Sequence, residues 1–265
     1  MQYISDIHLE HYNCTYEQIR TIVPIKIAPI LILAGDIGYP EKKEYVYFLD
    51  IVSKTWDNIF VIAGNHEYYN TNKKKRSGKI KSKDEIDCII ESIVENYSNV
   101  FYLNNMKYEL EINNEKYVII GTTLFSDIPN EKMHIVSNVN DFKHIYKKNN
   151  GKYCNITHED YKNFYVTGKE FIENQLNFYR KLDFKIIVVT HHAPSSKCID
   201  EKYIDSEIKC AFYSDLNYLI NNIYCWIYGH THSQKEIYIN NVKVVTNAIG
   251  YVDEIVENVV LEKVI

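Results

Sequence analysis

Tyr224-Cys225-Trp226-Ile227-Tyr228-Gly229-His230-Thr231-His232 is an apolar run that stops at a glycine and is followed at once by two histidines one residue apart. The run reads as a buried strand, and Gly229 lets the backbone turn tightly at its end. If the chain stays extended, residues two apart point to the same side, so both imidazoles can face one point. Histidine is the commonest metal ligand, which makes this a candidate metal site. Alone, such a pair is weak evidence.

Four more apolar strands end the same way. The first leads into Asp6-Ile7-His8, the second into Gly35-Asp36, the third into Gly64-Asn65-His66-Glu67, and another into His191-His192-Ala193-Pro194. In open α/β sheets, ligands bind beyond the carboxyl ends of the strands. Any one of these ends has an ordinary explanation, such as a turn-capping Asp36 or a satisfied core His191. Five together, each closing an apolar strand, point to one crevice with a metal centre.

The rest of the chain frames those strands. Ile30–Ala34 and Ile59–Ala63 are short apolar runs suited to strands covered on both faces. Between them Tyr45, Phe48, Leu49, Val52 and Trp56 recur at helical spacing. Ser82 and Glu85 form a capping box for a helix whose stripe is Ile86, Ile89, Ile90, Ile93, Val94 and Tyr97. This βαβα rhythm predicts parallel strands. Two Asn-Asn pairs, Asn113-Asn114 and Asn240-Asn241, predict hairpins joining Lys107–Ile112 to Lys116–Gly121 and Glu236–Ile239 to Val242–Thr246. Residues 126–156 are polar and without a clear period, and read as loop or lid. Thr157 then caps a long helix carrying Tyr161, Phe164, Tyr165, Phe171, Ile172, Tyr179 and Leu182 on one face. Lys185–Thr190 is another buried strand, and Val256–Val264 is expected to be the last. No repeat or linker divides residues 1–265, so one domain is expected, with 126–182 as a lid loop plus long helix inside it.

Composition narrows the classes. The chain has 265 residues, 46% hydrophobic and 25% charged, ordinary for a soluble globular protein. A net charge of −5 argues against a general nucleic-acid binder. The 24 tyrosines, with many Asn, Lys and Ile, are read as the coding bias of an AT-rich genome. Six scattered cysteines form no CxxC pair, and no signal peptide or membrane-length apolar run is seen, so the expected location is cytoplasmic. The sequon Asn155-Ile156-Thr157 is then expected to be silent. The run Lys73–Lys83 holds seven basic residues in eleven and is read as a solvated loop, with docking of an anionic substrate as the rival.

As an ordered set, the DxH, GD, GNHE, H and GHxH motifs resemble the signature of the calcineurin-like metallophosphoesterase superfamily. Gly64–Tyr69, Gly121–Phe125, Thr190–Pro194 and Asn247-Ala248-Ile249-Gly250-Tyr251 are similar to a group of small members of it. The resemblance implies an α/β fold, a two-sheet α/β/β/α sandwich of mixed strands flanked by helices. It also implies two metals, one held by Asp6, His8 and His232, the other by Asn65, His191 and His230, with Asp36 bridging them. His66 would be the general acid or transition-state stabiliser beside the phosphate. Local sequence does not separate the two adjacent histidines. The resemblance selects His191, leaving His192 to face the substrate or to support a ligand. One departure stands out: the longer GDxxD form is absent, because Tyr39 occupies its last position.

Chemistry supports the same reading. Two divalent cations bring four positive charges against the two carboxylates Asp6 and Asp36. That excess suits a phosphate ester, and a shared carboxylate lets two ions activate a bridging hydroxide for in-line displacement. Ligands of this mixed kind suit Mn²⁺, Fe or Zn²⁺. The expectation is a dimetal phosphoesterase acting on a phosphorylated substrate, without a membrane partner. The rivals are a nuclease or phosphodiesterase of the same superfamily, not favoured by the net charge, and a non-catalytic protein-binding scaffold. A scaffold would be expected to lose ligands, and here none is missing. Substrate and oligomeric state stay open.

Overall fold

Ile30, Ile32 and Ala34 alternate with Leu31 and Leu33 along one fully buried strand, and the two sets pack into different cores. The first set meets Ile119, Ile187, Val189, Ile227 and Val245, while the second meets Tyr45, Phe48 and Leu49 of a neighbouring helix. A strand buried on both faces needs a layer on each side. The computed structural model, which describes residues 1–70, 79–251 and 263–265, supplies them as two sheets packed face to face with helices outside. The chain therefore forms the expected α/β/β/α sandwich.

The first sheet holds β1 (Gln2–Ile4), β2 (Ile30–Ala34), β3 (Asn58–Ile62) and β4 (Val100–Tyr102), in that order and all parallel. The chain continues through β5 (Met106–Ile112), β6 (Glu115–Thr122), a small hairpin β7 (Tyr146–Asn149) and β8 (Lys152–Asn155), β9 (Lys185–Thr190), β10 (Cys225–Tyr228), β11 (Gln234–Ile239) and β12 (Val242–Asn247). The second sheet runs β11-β12-β10-β9-β6-β5, parallel through the middle and antiparallel at both edges. Both edge hairpins turn on the expected Asn-Asn pairs, with φ of 51° and 63° at Asn113 and Asn114 and 50° and 63° at Asn240 and Asn241. The sheets are tied together where the Ser5 N–H donates to the Asn247 carbonyl (3.1 Å) and Asn247 Nδ2 to the Tyr3 carbonyl (3.0 Å).

The helix Lys83–Val94 starts on the Ser82/Glu85 capping box, and His158–Tyr179 on the matching pair Thr157 and Asp160. A further capped helix, Tyr16–Ile22, was not anticipated, although Thr15 and Gln18 carry the same signal. Residues 126–156, expected to be loop or lid, hold a 3₁₀ run (Asn130–Asn138), a helical turn (Asp141–His144) and the β7–β8 hairpin. The helix after Thr157 ends at Tyr179, so Leu182 lies beyond it, 45% exposed, and Leu176 takes the buried place. Most of the basic run and most of the expected last strand fall outside the described residues. Among the described residues no helix is long and apolar enough to cross a membrane.

Candidate metal centre

Every one of the five strands identified by its ending lies parallel to its sheet neighbours among them, so their carboxyl ends share one edge of the sandwich. There the chain departs from extended geometry. Asp6, His8, Asp36, His230 and His232 all have left-handed backbones, with φ of 54°, 53°, 53°, 66° and 46°. This changes one expectation. Because His230 and His232 are not extended, their rings do not face a common point but join two neighbouring clusters.

In one cluster the ligand atoms of Asp6, His8 and His232 lie within 4.8 Å of one another, and in the other so do those of Asp36, His191 and His230. His8 Nε2 faces His232 Nε2 at 3.0 Å, and His191 Nε2 lies 3.1 Å from Asn65 Oδ1. Asp36 sits between the clusters, its Oδ2 being 3.2 Å from His191 Nε2 and 3.9 Å from His8 Nε2. Its other oxygen accepts the His66 backbone N–H at 2.8 Å. Gly64 is required by this closeness, since a Cβ there would stand 2.2 Å from Asp36 Oδ1.

The electrostatics follow from burial. Burial alone would raise the Asp36 pKa, but His191, His66 and His8 outweigh it and hold the carboxyl well below the usual range. Burial works against a charge on His191 and His66, yet Asp36 carries the first up to about 10, and Asp36 with Glu10 the second up to about 9. His230 goes the other way: burial, then His192 and His191, push it well below the ordinary value. A neutral imidazole offers a lone pair to a metal. Two carboxylates, an amide oxygen and converging ring nitrogens in two groups sharing Asp36 fit a pair of divalent cations.

His192 is fully buried and stacks on His230, with ring centroids 4.1 Å apart. Its Nδ1 lies 2.7 Å from Ser126 Oγ, while Nε2 has no hydrogen-bond partner among the described residues. It does not line the cavity that opens over the clusters, so supporting His230 is the alternative that this geometry fits. His66 does line the cavity, together with Asp36, Asn65, His230 and His232.

Several participants are not evident from the sequence. Glu10 Oε1 lies 2.9 Å from both His8 Nδ1 and His66 Nδ1. Burial opposes its charge, but the hydrogen bonds from these two histidines bring its pKa to about 2. It thus partners His66 in a chain whose GDxxD position is Tyr39, and its one signal is an acidic residue two places after His8. Glu67, the last residue of the GNHE motif, gathers the backbone N–H groups of Asp36 (3.0 Å), Ile37 (2.7 Å) and Gly64 (2.7 Å), locking two of the loops together. Asp141 accepts from Asn65 Nδ2 (2.8 Å) and the Tyr69 hydroxyl (2.5 Å), which turns Asn65 Oδ1 toward His191. Tyr251 brings its hydroxyl to 3.1 Å from His66 Nε2.

A family model described as calcineurin-like phosphoesterase matches residues 3–234. The uncharacterized protein L509 of Acanthamoeba polyphaga mimivirus is 34% identical, covering 96% of this chain and 92% of its own length. Among solved structures, the phosphopantetheinyl hydrolase PptH from Mycobacterium tuberculosis matches with a TM-score of 0.70 at 17% identity, over 95% of this chain and 89% of that one. The protein TT1561 of Thermus thermophilus gives 0.53 at 12% identity, over 93% and 87%. At these identities the two structures speak for the fold.

Proposed function

The chain belongs to the calcineurin-like phosphoesterase family, hence to the metal-dependent hydrolases of phosphoric ester bonds, and we propose a two-metal site built as follows. Asp6, His8 and His232 hold one ion; Asn65, His191 and His230 hold the other; Asp36 is shared. The observation that carries this is the placement of Asp36, one oxygen of which reaches toward a histidine of each cluster. When bound, divalent cations supply an activated water and neutralise charge on the phosphoryl oxygens.

The chain's own groups do the rest. Glu10 fixes His66 through Nδ1, and Nε2, which lies 3.1 Å from the hydroxyl of the cavity-lining Tyr251, is the atom that can protonate the departing ester oxygen as the P–O bond breaks. Glu10 also orients His8 through its Nδ1, and Asp141 orients Asn65, so both donors present their other atom to the metal. His192 backs His230 from the interior. The six cysteines are all free, which suits a reducing compartment, and the proposed location is the cytosol.

The experiment is a panel of phosphate monoesters and diesters offered to protein reconstituted with Mn²⁺, Fe²⁺ or Zn²⁺, with ions counted by elemental analysis. We expect up to two ions per chain and turnover of at least one ester class. A protein that keeps no metal after reconstitution would sink this reading.

A further inference from the structure

The cavity over the two clusters, together with the space beyond them, amounts to ≈ 270 Å³, just under the usual range for small-molecule sites. Two segments distant in sequence, 138–141 and 199–212, supply its walls. Outside the donor clusters its charged lining residues are Asp141, Asp200 and Lys209, and each is engaged within the protein. Asp141 holds Asn65 and Tyr69, Asp200 pairs with Lys235 at 2.7 Å, and Lys209 Nζ donates to the Ile204 carbonyl at 2.5 Å. The rest of the lining is chiefly apolar, from Val139, Ile199, Ile208 and the rings of Tyr203 and Phe212, with polar groups from Asn138, Asn140, Thr231 and Tyr251.

Those rings are ordered with respect to the chemistry. The Tyr203 and Phe212 planes are parallel to within 1°, and Phe212 lies 5.0 Å from the His230 ring. The backbone of Phe212 accepts the Ala193 N–H (3.2 Å), and Ser214 donates to the Ala193 carbonyl (2.9 Å), so the wall is bonded to the loop that carries His191. An apolar face fixed this way is ready before a ligand arrives, and aromatic groups prefer such faces.

Resting on the phosphoesterase reading above, we propose that this pocket receives the ester group of the substrate, and that this group is compact, apolar and aromatic. The substrate class is then a small organophosphate whose phosphoryl end sits at the clusters and whose ring lies against Phe212. A sugar phosphate would place several of its hydroxyls against Val139, Ile199, Ile208 and Phe212.

The test uses binding, so that turnover is not needed. Benzylphosphonate and ethylphosphonate present the same phosphonate group and differ in the ring. On metal-reconstituted protein, calorimetry should find benzylphosphonate tighter by about tenfold or more, as expected for burying a ring. Phe212→Ala should draw the two affinities together, with both ions retained, and Tyr203→Ala, at a 44% exposed position that folding can spare, should narrow the gap in the same sense. Equal affinities in the native protein, or a preference that survives both substitutions, would overturn the proposal. If neither phosphonate binds, the pocket assignment falls as well. Elemental analysis then separates the failures: ions present means that only the pocket was misread, and ions absent means that the metal centre failed first.

Discussion

The donor loops and the pocket walls are built in opposite ways. The loops begin where parallel strands end, are buried, and are cross-bonded through backbone N–H groups: Asp6 donates to the Gly35 carbonyl (3.0 Å), His8 to that of Asp36 (3.0 Å) and Gly229 to that of His191 (2.9 Å). The walls come from 3₁₀ turns and irregular chain, with Tyr203 and Asn138 exposed. The difference teaches that the proposed reaction is held by the sheet architecture, whereas the proposed substrate choice rests on segments outside the sheets that are tied to the donor loops at a few points, such as Ala193 and Asn65. A change in the loops should therefore damage every substrate alike, and a change in the walls should damage only some.

The largest effect is expected from Asp36→Asn. Removing the shared charge should weaken both ions together and lower turnover by about a thousandfold or more on all esters. Elemental analysis showing one ion still firmly held would break the picture of a single shared centre. His66→Ala should lower turnover by roughly 10²–10⁴-fold while both ions stay, because it acts on the leaving group. A loss confined to one kind of ester would move His66 to the side of the walls. Glu10→Ala should cost about 10–100-fold, and Glu10→Gln less, since the amide oxygen can still accept from both histidines. A Gln variant as poor as the Ala variant would mean that the charge, and not the positioning, matters.

The smallest effect concerns the β7–β8 hairpin, away from both the loops and the walls. Glu85 accepts from the Ser82 N–H (2.9 Å), Lys148 Nζ (3.0 Å) and the Tyr153 hydroxyl (3.0 Å), tying the β7–β8 hairpin to a helix start. Burial opposes its charge, but those partners lower its pKa from 4.5 to about 2. A depressed carboxylate stabilises fully above its unfolded value, and that contribution fades as pH falls from there toward 2. Glu85→Gln should cost about 1 kcal/mol in urea unfolding at pH 7, in the range for a lost cap, and progressively less in acid. A cost that does not change with pH would assign the effect to shape alone.

Much of this was legible because local signals agree with the fold. Ile30–Ala34 and Lys185–Thr190 are strands over those same residues, since a run buried on both faces admits few other readings. The Asn-Asn turns and the Ser82 and Thr157 caps are short-range chemistry and stand where sequence puts them. The polar stretch 126–156 was not legible, because its turns are held by partners far along the chain: His144 O receives the Asn70 N–H (2.9 Å), and Asp141 receives Asn65. Glu10 escapes a sequence reading for the same reason, its second histidine being His66.

The left-handed backbone at Asp6, His8, Asp36, His230 and His232 limits how such a centre can be re-engineered. Asp, Asn and His are the side chains best tolerated there after glycine, and other residues add roughly 1–2 kcal/mol of local strain each. Exchanging Asp6 for Glu or His8 for Cys, to favour another metal, would keep a donor and lose the turn that aims it. A retuned variant must draw its donors from that short alphabet or carry a compensating change in the loop.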